Sequence, residues 1–331
     1  MSVRHSLLAA LLALFPIAGC GAETTPAGAD APLALERKIP LKDIHGRIDH
    51  LAVDAAHQRL FVAELGAGSV EAVDVGRGVS LGRITGLKEP QGLAYLPGPD
   101  ELVVASGGDG AVRFYRAADL SLLWTVALGD DADNVRVDPR SGRVIVGYGS
   151  GALAIIDPAT RAIVGKVDLP AHPEAFSVDG SRVFVNAPNA GRIVIADLAS
   201  GRITSSWPAS HHFNFPMAFD GPSDTLAVVY RLPARLQLFD ASTGASKSDV
   251  ATCGDADDVY FDDRRSRLYV VCGAGMVDVF AAKTLARVAR IRSRGGARTG
   301  LFAPELDRLF VAARAAGAGD SAAILVFRPQ H

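Results

Sequence analysis

Positive charge is not in excess: 34 Lys and Arg stand against 36 Asp and Glu, for a formal charge of −2. That is the wrong sign for an electrostatic footprint on nucleic acid. The short metal-ligand spacings HExxH and CxxC do not occur and there is no phosphate-binding loop, so motif chemistry of those kinds is not signalled. Gly107-Gly108-Asp109-Gly110 reads as a hairpin turn. Beyond the first twenty residues no segment is long and apolar enough for a transmembrane helix. What is plentiful is apolar residues, at 49%, together with 34 Gly and 18 Pro, a composition that fits a globular chain with many turns.

The chain start differs from the rest. Arg4 and His5 precede an apolar run, Leu7 to Ala18, too short to span a bilayer and suited to a signal-peptide core. The run ends in Ile17-Ala18-Gly19-Cys20, which resembles the lipobox of bacterial lipoproteins. That resemblance implies a leader over 1–19, cleavage before Cys20 and lipidation of its thiol; an ordinary secretory signal ending nearby is the alternative. Gly21, rather than Asp, resembles the pattern of lipoproteins sent on to the outer membrane. Residues 20–33 are then the lipidated cysteine and a small, polar, Pro-containing tether, with the membrane contacted through the lipid anchor alone. Either leader exports the protein. Cys253 and Cys272 are the two thiols left, near the same end of one repeat; an oxidising compartment lets them pair, and two separately packed small residues are the other reading.

From residue 34 to 331 the sequence repeats. Seven segments end at Asp54, Leu96, Asp138, Asp179, Asp220, Asp262 and Pro304, at spacings of 42, 42, 41, 41, 42 and 42. A second ladder follows about twenty residues later, at Asp74, Arg116, Asp157, Asp197, Asp240 and Ala281. Between them lie RLFVAEL, ELVVASG, RVIVGYG, RVFVNAP, TLAVVYR, RLYVVCG and RLFVAAR, rich in β-branched and aromatic residues and bounded by turn formers. A more polar fourth strand, as in LLWTVALG or RVARIRS, closes most repeats. Four antiparallel strands in about 42 residues make one propeller blade, so the predicted fold is all-β, a seven-bladed β-propeller. The last repeat has three strands, and the segment LALERKIPL at 33–41 is predicted to supply its fourth, closing the ring and removing an exposed edge.

The turns IDPAT at 156–160 and FDASTG at 239–244, with RLFVA, RVFVN and RLYVV, resemble YVTN-type propeller repeats, and the whole domain resembles the YncE-like periplasmic propeller proteins. The resemblance covers 34–331. It implies the fold and an envelope location; it says little about activity, because propellers host enzymes, ligand binders and interaction platforms.

In a propeller, the residues that open the innermost strands converge on one face. Here they bring His45, Arg47, Asp49, His50, Gln91, Asp131, Asp133, Asn134, His172, Glu174, His211, His212, Asn214, Asp255, Asp257, Asp258, Arg298 and Thr299 to one rim. The expected ligand contacts are Asp49, His50, Gln91, Asp133, Asn134, His172, Glu174, Asn214, Asp257, Asp258, Arg298 and Thr299. Capping of strand starts by Asp, Asn and His competes with that reading. A metal site of imidazole and carboxylate is a third, against which adjacent His211 and His212 would point opposite ways on a strand. No nucleophile or acid stands out and no cofactor is required. The sequence therefore favours a non-catalytic binder of a small molecule or protein partner, expected to be a monomer. A metal-dependent or lactonase-like hydrolase and a YncE-like nucleic-acid binder are the alternatives, the latter through RVARIRSR at 287–294, which also reads as an edge strand.

Overall fold

Within each repeat the second and third strands are apolar at almost every position, so neither face can be left to water. Phe61, Val103, Ile145, Phe184, Val228, Val270 and Phe310 are all fully buried. A sheet apolar on both faces must be sandwiched, and a ring of sheets standing side by side sandwiches every one. The computed structural model, which describes residues 31–317 and 319–331, has that arrangement: seven four-stranded antiparallel sheets. The expectations for the leader, Cys20 and most of the tether fall outside the described residues.

Six blades are contiguous in sequence, at 51–84, 90–127, 132–168, 176–208, 212–251 and 256–292. The seventh joins Gly300–Ala303, Arg308–Ala313 and Ala323–Pro329 to Leu33–Pro40, the strand from the chain start. That strand runs antiparallel to the last one, with Leu33 opposite Pro329 and Pro40 opposite Ala323. Leu33, Ile39 and Leu41 are buried. There is no single core: seven apolar clusters each fill the wedge between two neighbouring blades.

The repeating Asp of each turn has a visible task. Asp157 accepts the backbone N–H groups of Ala159 and Thr160, and Asp240 those of Thr243 together with its hydroxyl, the Asx-turn chemistry that lets a hairpin close tightly. On the side where the innermost strands end, arginines clip one blade to the next. Arg59 reaches Asp100, Arg182 reaches Asp224 and Arg265 reaches Asp307, at 2.5, 3.3 and 2.8 Å. Asp262, 2% exposed, also accepts from Arg265 and from the Tyr269 hydroxyl.

Two local expectations resolve clearly. Cys253 and Cys272 are disulfide-bonded, joining the approach to the innermost strand of blade six to the end of its second strand. The basic run is the outermost strand of that blade, Arg287–Arg292, and two of its three charges reach a buried acid while Arg292 stays exposed. Arg290 grips the buried Asp278 at 2.6 and 2.8 Å, and Arg287 lies 3.3 Å from the same carboxylate. Arg294 pairs with Asp320 at 2.8 Å.

Candidate functional site

The innermost strands are Leu51–Asp54, Pro90–Leu96, Ala132–Val137, Phe176–Asp179, His212–Asp220, Ala256–Asp262 and Gly300–Ala303. Each pairs only on its outer side, so seven free edges surround the axis. Strand alternation would send every second side chain away from a common focus. Four of these strands break the alternation with a register shift near their start, at 90–93, 132–135, 214–217 and 256–258. A bulge places consecutive residues on one side and re-aims them. Asp133 with Asn134, and Asp257 with Asp258, therefore line the same narrow space, together with Asp49 and His50. Gly92 permits the close approach of blades two and three there, since a Cβ on it would lie 2.0 Å from the Asp133 carbonyl oxygen.

The loops feeding these strands are held in an uncommon conformation. Glu89, Asp131, Phe213 and Asp255 occupy equivalent positions in four repeats and all have positive φ, at 51°, 32°, 59° and 59°. Such backbone is tolerated by Asp and costs more for Glu and Phe, and it clusters where a structure holds side chains in set positions.

Two tiers result. The upper is a funnel of about 490 Å³, bordered by Arg47, Gln91, Asp130, Asp131, Asp133, Ser150, His172, Glu174, Phe215, Arg231, Asp257 and Arg298. Below it is a constriction with room for about 30 Å³, closed in by Asp49, His50, Asn134, Arg136 and Asp258. Arg47 lies 2.9 Å from Asp49, Arg298 lies 3.1 Å from Asp255, and Arg231 pairs with Asp257 while packing over the Phe215 ring at 3.8 Å. His172 stands 3.6 Å from Asp131 and 3.7 Å from Asp133, and shares a hydrogen bond with the Gly149 carbonyl.

These cations do not satisfy all the acids. Neither oxygen of Asp49, 1% exposed, has an aligned hydrogen-bond donor, and the same is true of Oδ2 of Asp257 and Oδ1 of Asn134. Burial pushes Asp257 up to about 7, with Asp49 and Asp258 adding to the rise against Arg231. Burial, helped by Asp133, also lifts Glu174 to about 7. The contact with Asp133 raises His172 to about 9. Burial on its own would lower His50, but the carboxylates of Asp49, Asp258 and Asp133 outweigh it and the imidazole is raised. The axis thus holds charge on His172 at neutral pH, with Asp257 and Glu174 poised to titrate near it.

Of the selected residues, Asp49, His50, Asp133, Asn134, Glu174, Asp257 and Asp258 meet at the constriction, and Gln91, His172 and Arg298 border the funnel. Asn214 and Thr299 do not line either. Asn214 is buried and donates to Asn186 and the Arg192 carbonyl, bracing blade five on blade four; Thr299 donates to the Ile48 carbonyl across the ring closure. The gathering of five histidines on one rim is corrected as well. His45 and His212 are exposed and line neither the funnel nor the constriction, and His211 turns to Asp249 at 2.7 Å, edge-on to Tyr230. Arg231, which opens no innermost strand, extends from the end of a second strand across to the axis. A further spacing in the sequence, Gly78-Val79-Ser80-Leu81-Gly82, has the form of a nucleophile elbow, but it lies on the exposed outermost strand of blade one rather than in a strand-to-helix turn. Among the described residues no three His, Cys, Asp or Glu side chains converge closely enough to hold a metal ion.

No protein-family profile matches the chain, and no curated protein is similar to it in sequence. Among solved structures it is similar to Kuenenia stuttgartiensis hydrazine synthase, with a TM-score of 0.71 and 15% identity over 82% of this chain and 94% of that one. At that identity the likeness is one of fold, and the fold that both the sheets and the comparison show is the seven-bladed β-propeller.

Proposed function

We propose that this is a YncE-like envelope propeller, anchored through Cys20 to the periplasmic face of the outer membrane, that binds a small cationic, donor-rich ligand in its acid funnel without turning it over. The observation that carries this reading is the set of buried acceptors without an aligned donor: both oxygens of Asp49, whose Arg47 partner meets it as an ion pair, one of Asp257 and the Asn134 amide oxygen. Buried acceptors left empty cost about 1–3 kcal/mol each, and a ligand bearing ammonium or guanidinium N–H groups removes that cost on binding. Half-buried Phe215, beside Arg231, adds an aromatic wall, and a space of about 490 Å³ suits a small molecule. The YVTN-type turns and the lipobox support the family and location, and the disulfide suits an oxidising compartment. The inward pairing of Arg287, Arg290 and Arg294 argues against RVARIRSR as a nucleic-acid surface.

The test is native mass spectrometry of the protein taken from an envelope fraction, followed by calorimetric titration with putrescine and agmatine. Saturable binding that strengthens as pH rises through about 7, where Asp257 and Glu174 lose their protons, supports the proposal. Absence of binding, or binding indifferent to Asp49→Asn and Asp257→Asn, refutes it. One observation favours a second reading: a carboxyl held near neutrality beside a charged histidine is suited to general acid–base work. Lactone hydrolysis abolished by Glu174→Gln would replace the binding role with a catalytic one.

A further inference from the structure

The channel widens again on the far side of the constriction. There a chamber of about 550 Å³ is lined by the innermost strands of all seven blades, and it shares no lining residue with the funnel. Its walls mix polar and apolar surface, with Leu93, Val135, Met217 and Leu301 beside the aromatic residues Tyr95, Phe219 and Tyr260. His50, Arg136 and Asp258 form its inner end, where they also border the constriction.

The state of Arg136 sets this chamber apart. Arg47, Arg231 and Arg298 each pair with a carboxylate of the rim. Arg136 has no carboxylate within ion-pairing distance among the described residues; its one hydrogen bond, of 2.8 Å, goes to the neighbouring Val135 carbonyl. The guanidinium is held 5.6 Å from the centre of the Phe176 ring, an arrangement that fixes its plane and leaves its remaining N–H groups for another acceptor. Of the acids that border the chamber, Asp263 is exposed and has no side-chain partner among the described residues, whereas the other two are occupied. Asp258 accepts the Gly300 N–H at 2.8 Å, and Asp220 accepts the Ser223 hydroxyl. At the inner end, around Arg136, the spare hydrogen-bonding capacity is therefore donor in character, the reverse of the funnel above. The free edges of the innermost strands add backbone groups along the walls.

We propose that the chamber is a second binding site, for a small organic carboxylate with an aromatic or branched apolar body. Arg136 takes the carboxylate through its planar fork, the geometry that makes guanidinium–carboxylate pairs strong and directional. The body lies against Tyr95, Phe219, Tyr260 and the aliphatic walls. The proposal does not depend on the cation-binding role of the funnel.

Benzoate and the isosteric cation benzylamine serve as probes, titrated calorimetrically into the full-length protein and into three folded variants checked by thermal melting. Benzoate is expected to saturate one site, with Arg136→Gln weakening it by about tenfold or more. Ser177→Phe, which narrows the chamber without altering its charge, is expected to do the same and keeps the test open if Arg136→Gln fails to fold. Asp257→Asn, in the funnel, is expected to change benzoate affinity by less than about twofold. Benzylamine binding in place of benzoate, benzoate binding unchanged in both chamber variants, loss of benzoate in Asp257→Asn, or no benzoate binding at millimolar concentration would each overturn the proposal. Because the funnel is probed by amines and the chamber by benzoate, either reading can fail alone.

Discussion

The periphery of the blades and the axis of the ring treat buried charge in opposite ways. At the periphery, Asp278 is held by Arg290 and Arg287, and Asp262 by Arg265 and the Tyr269 hydroxyl, while Glu64 and Glu71 share Arg83. At the axis, Asp49, Asp133, Glu174, Asp257 and Asp258 crowd together, and several of their oxygens have no donor. A buried charge without compensation is costly, so it persists only where something other than stability holds it in place. The periphery is built for cohesion, and the axis is where the protein departs from its own best packing.

The largest effect expected concerns cohesion. Removing residues 33–41 takes away Leu33, Ile39 and Leu41, each at most 1% exposed, and opens the edge of Ala323–Pro329. Denaturant titration should show a loss of about 5 kcal/mol or more, at 2 to 3 kcal/mol per buried side chain. A loss near zero would mean that the ring does not need this closure.

Next in size is Arg265→Ala, which leaves Asp262, 2% exposed, without its cation and cuts the clip to Asp307. A loss of about 3 kcal/mol is expected, with amine and benzoate binding unchanged.

The axis should respond in the other direction. Asp257 and Glu174 titrate at about 7 in the folded protein against ordinary values of 3.8 and 4.5, so the folded state holds more protons than the unfolded one across that interval. Stability therefore falls as pH rises from about 4 through about 7. His172, raised from 6.5 to about 9, extends the decline with the same sign, because its stabilising contribution is lost as pH passes its folded value. Melting temperature should drop steadily from pH 5 to pH 9. The double variant Asp257→Asn, Glu174→Gln should flatten the curve and gain about 1 to 2 kcal/mol at pH 8. A maximum of stability at pH 8 in the unaltered protein would contradict the unmatched acids.

The smallest effect belongs to Arg292→Gln. Arg292 is exposed at the end of the outermost strand of blade six, and a change within about 0.5 kcal/mol is expected. Set beside Arg265→Ala, it separates an arginine that stitches blades from one that only keeps an edge charged.

Blade number, strand limits and the pairing of chain start with chain end were legible in the sequence because they depend on period: 41- or 42-residue spacing, turn residues and apolar runs are local properties. The disulfide was left open, since spacing alone puts Cys253 and Cys272 near one another without deciding whether they bond. Much of the site was legible too, since Asp49, His50, Asp133, Asn134, Asp257 and Asp258 open innermost strands. What misled were Asn214 and Thr299, which brace neighbouring blades, and His211, which the chain turns to Asp249. The sequence also gave no sign that Arg231 would reach the axis from a second strand.

By itself, then, the sequence determined that seven sheets apolar on both faces would stand around an axis, because burying both faces of every sheet leaves few other solutions. Only the tertiary structure decided what that axis presents. Bulges in two innermost strands turn Asp133 with Asn134, and Asp257 with Asp258, the same way, and ring closure sets them against acids from distant repeats. Charge balance at a site is a property of which side chains converge in space, and no local pattern along the chain encodes that convergence.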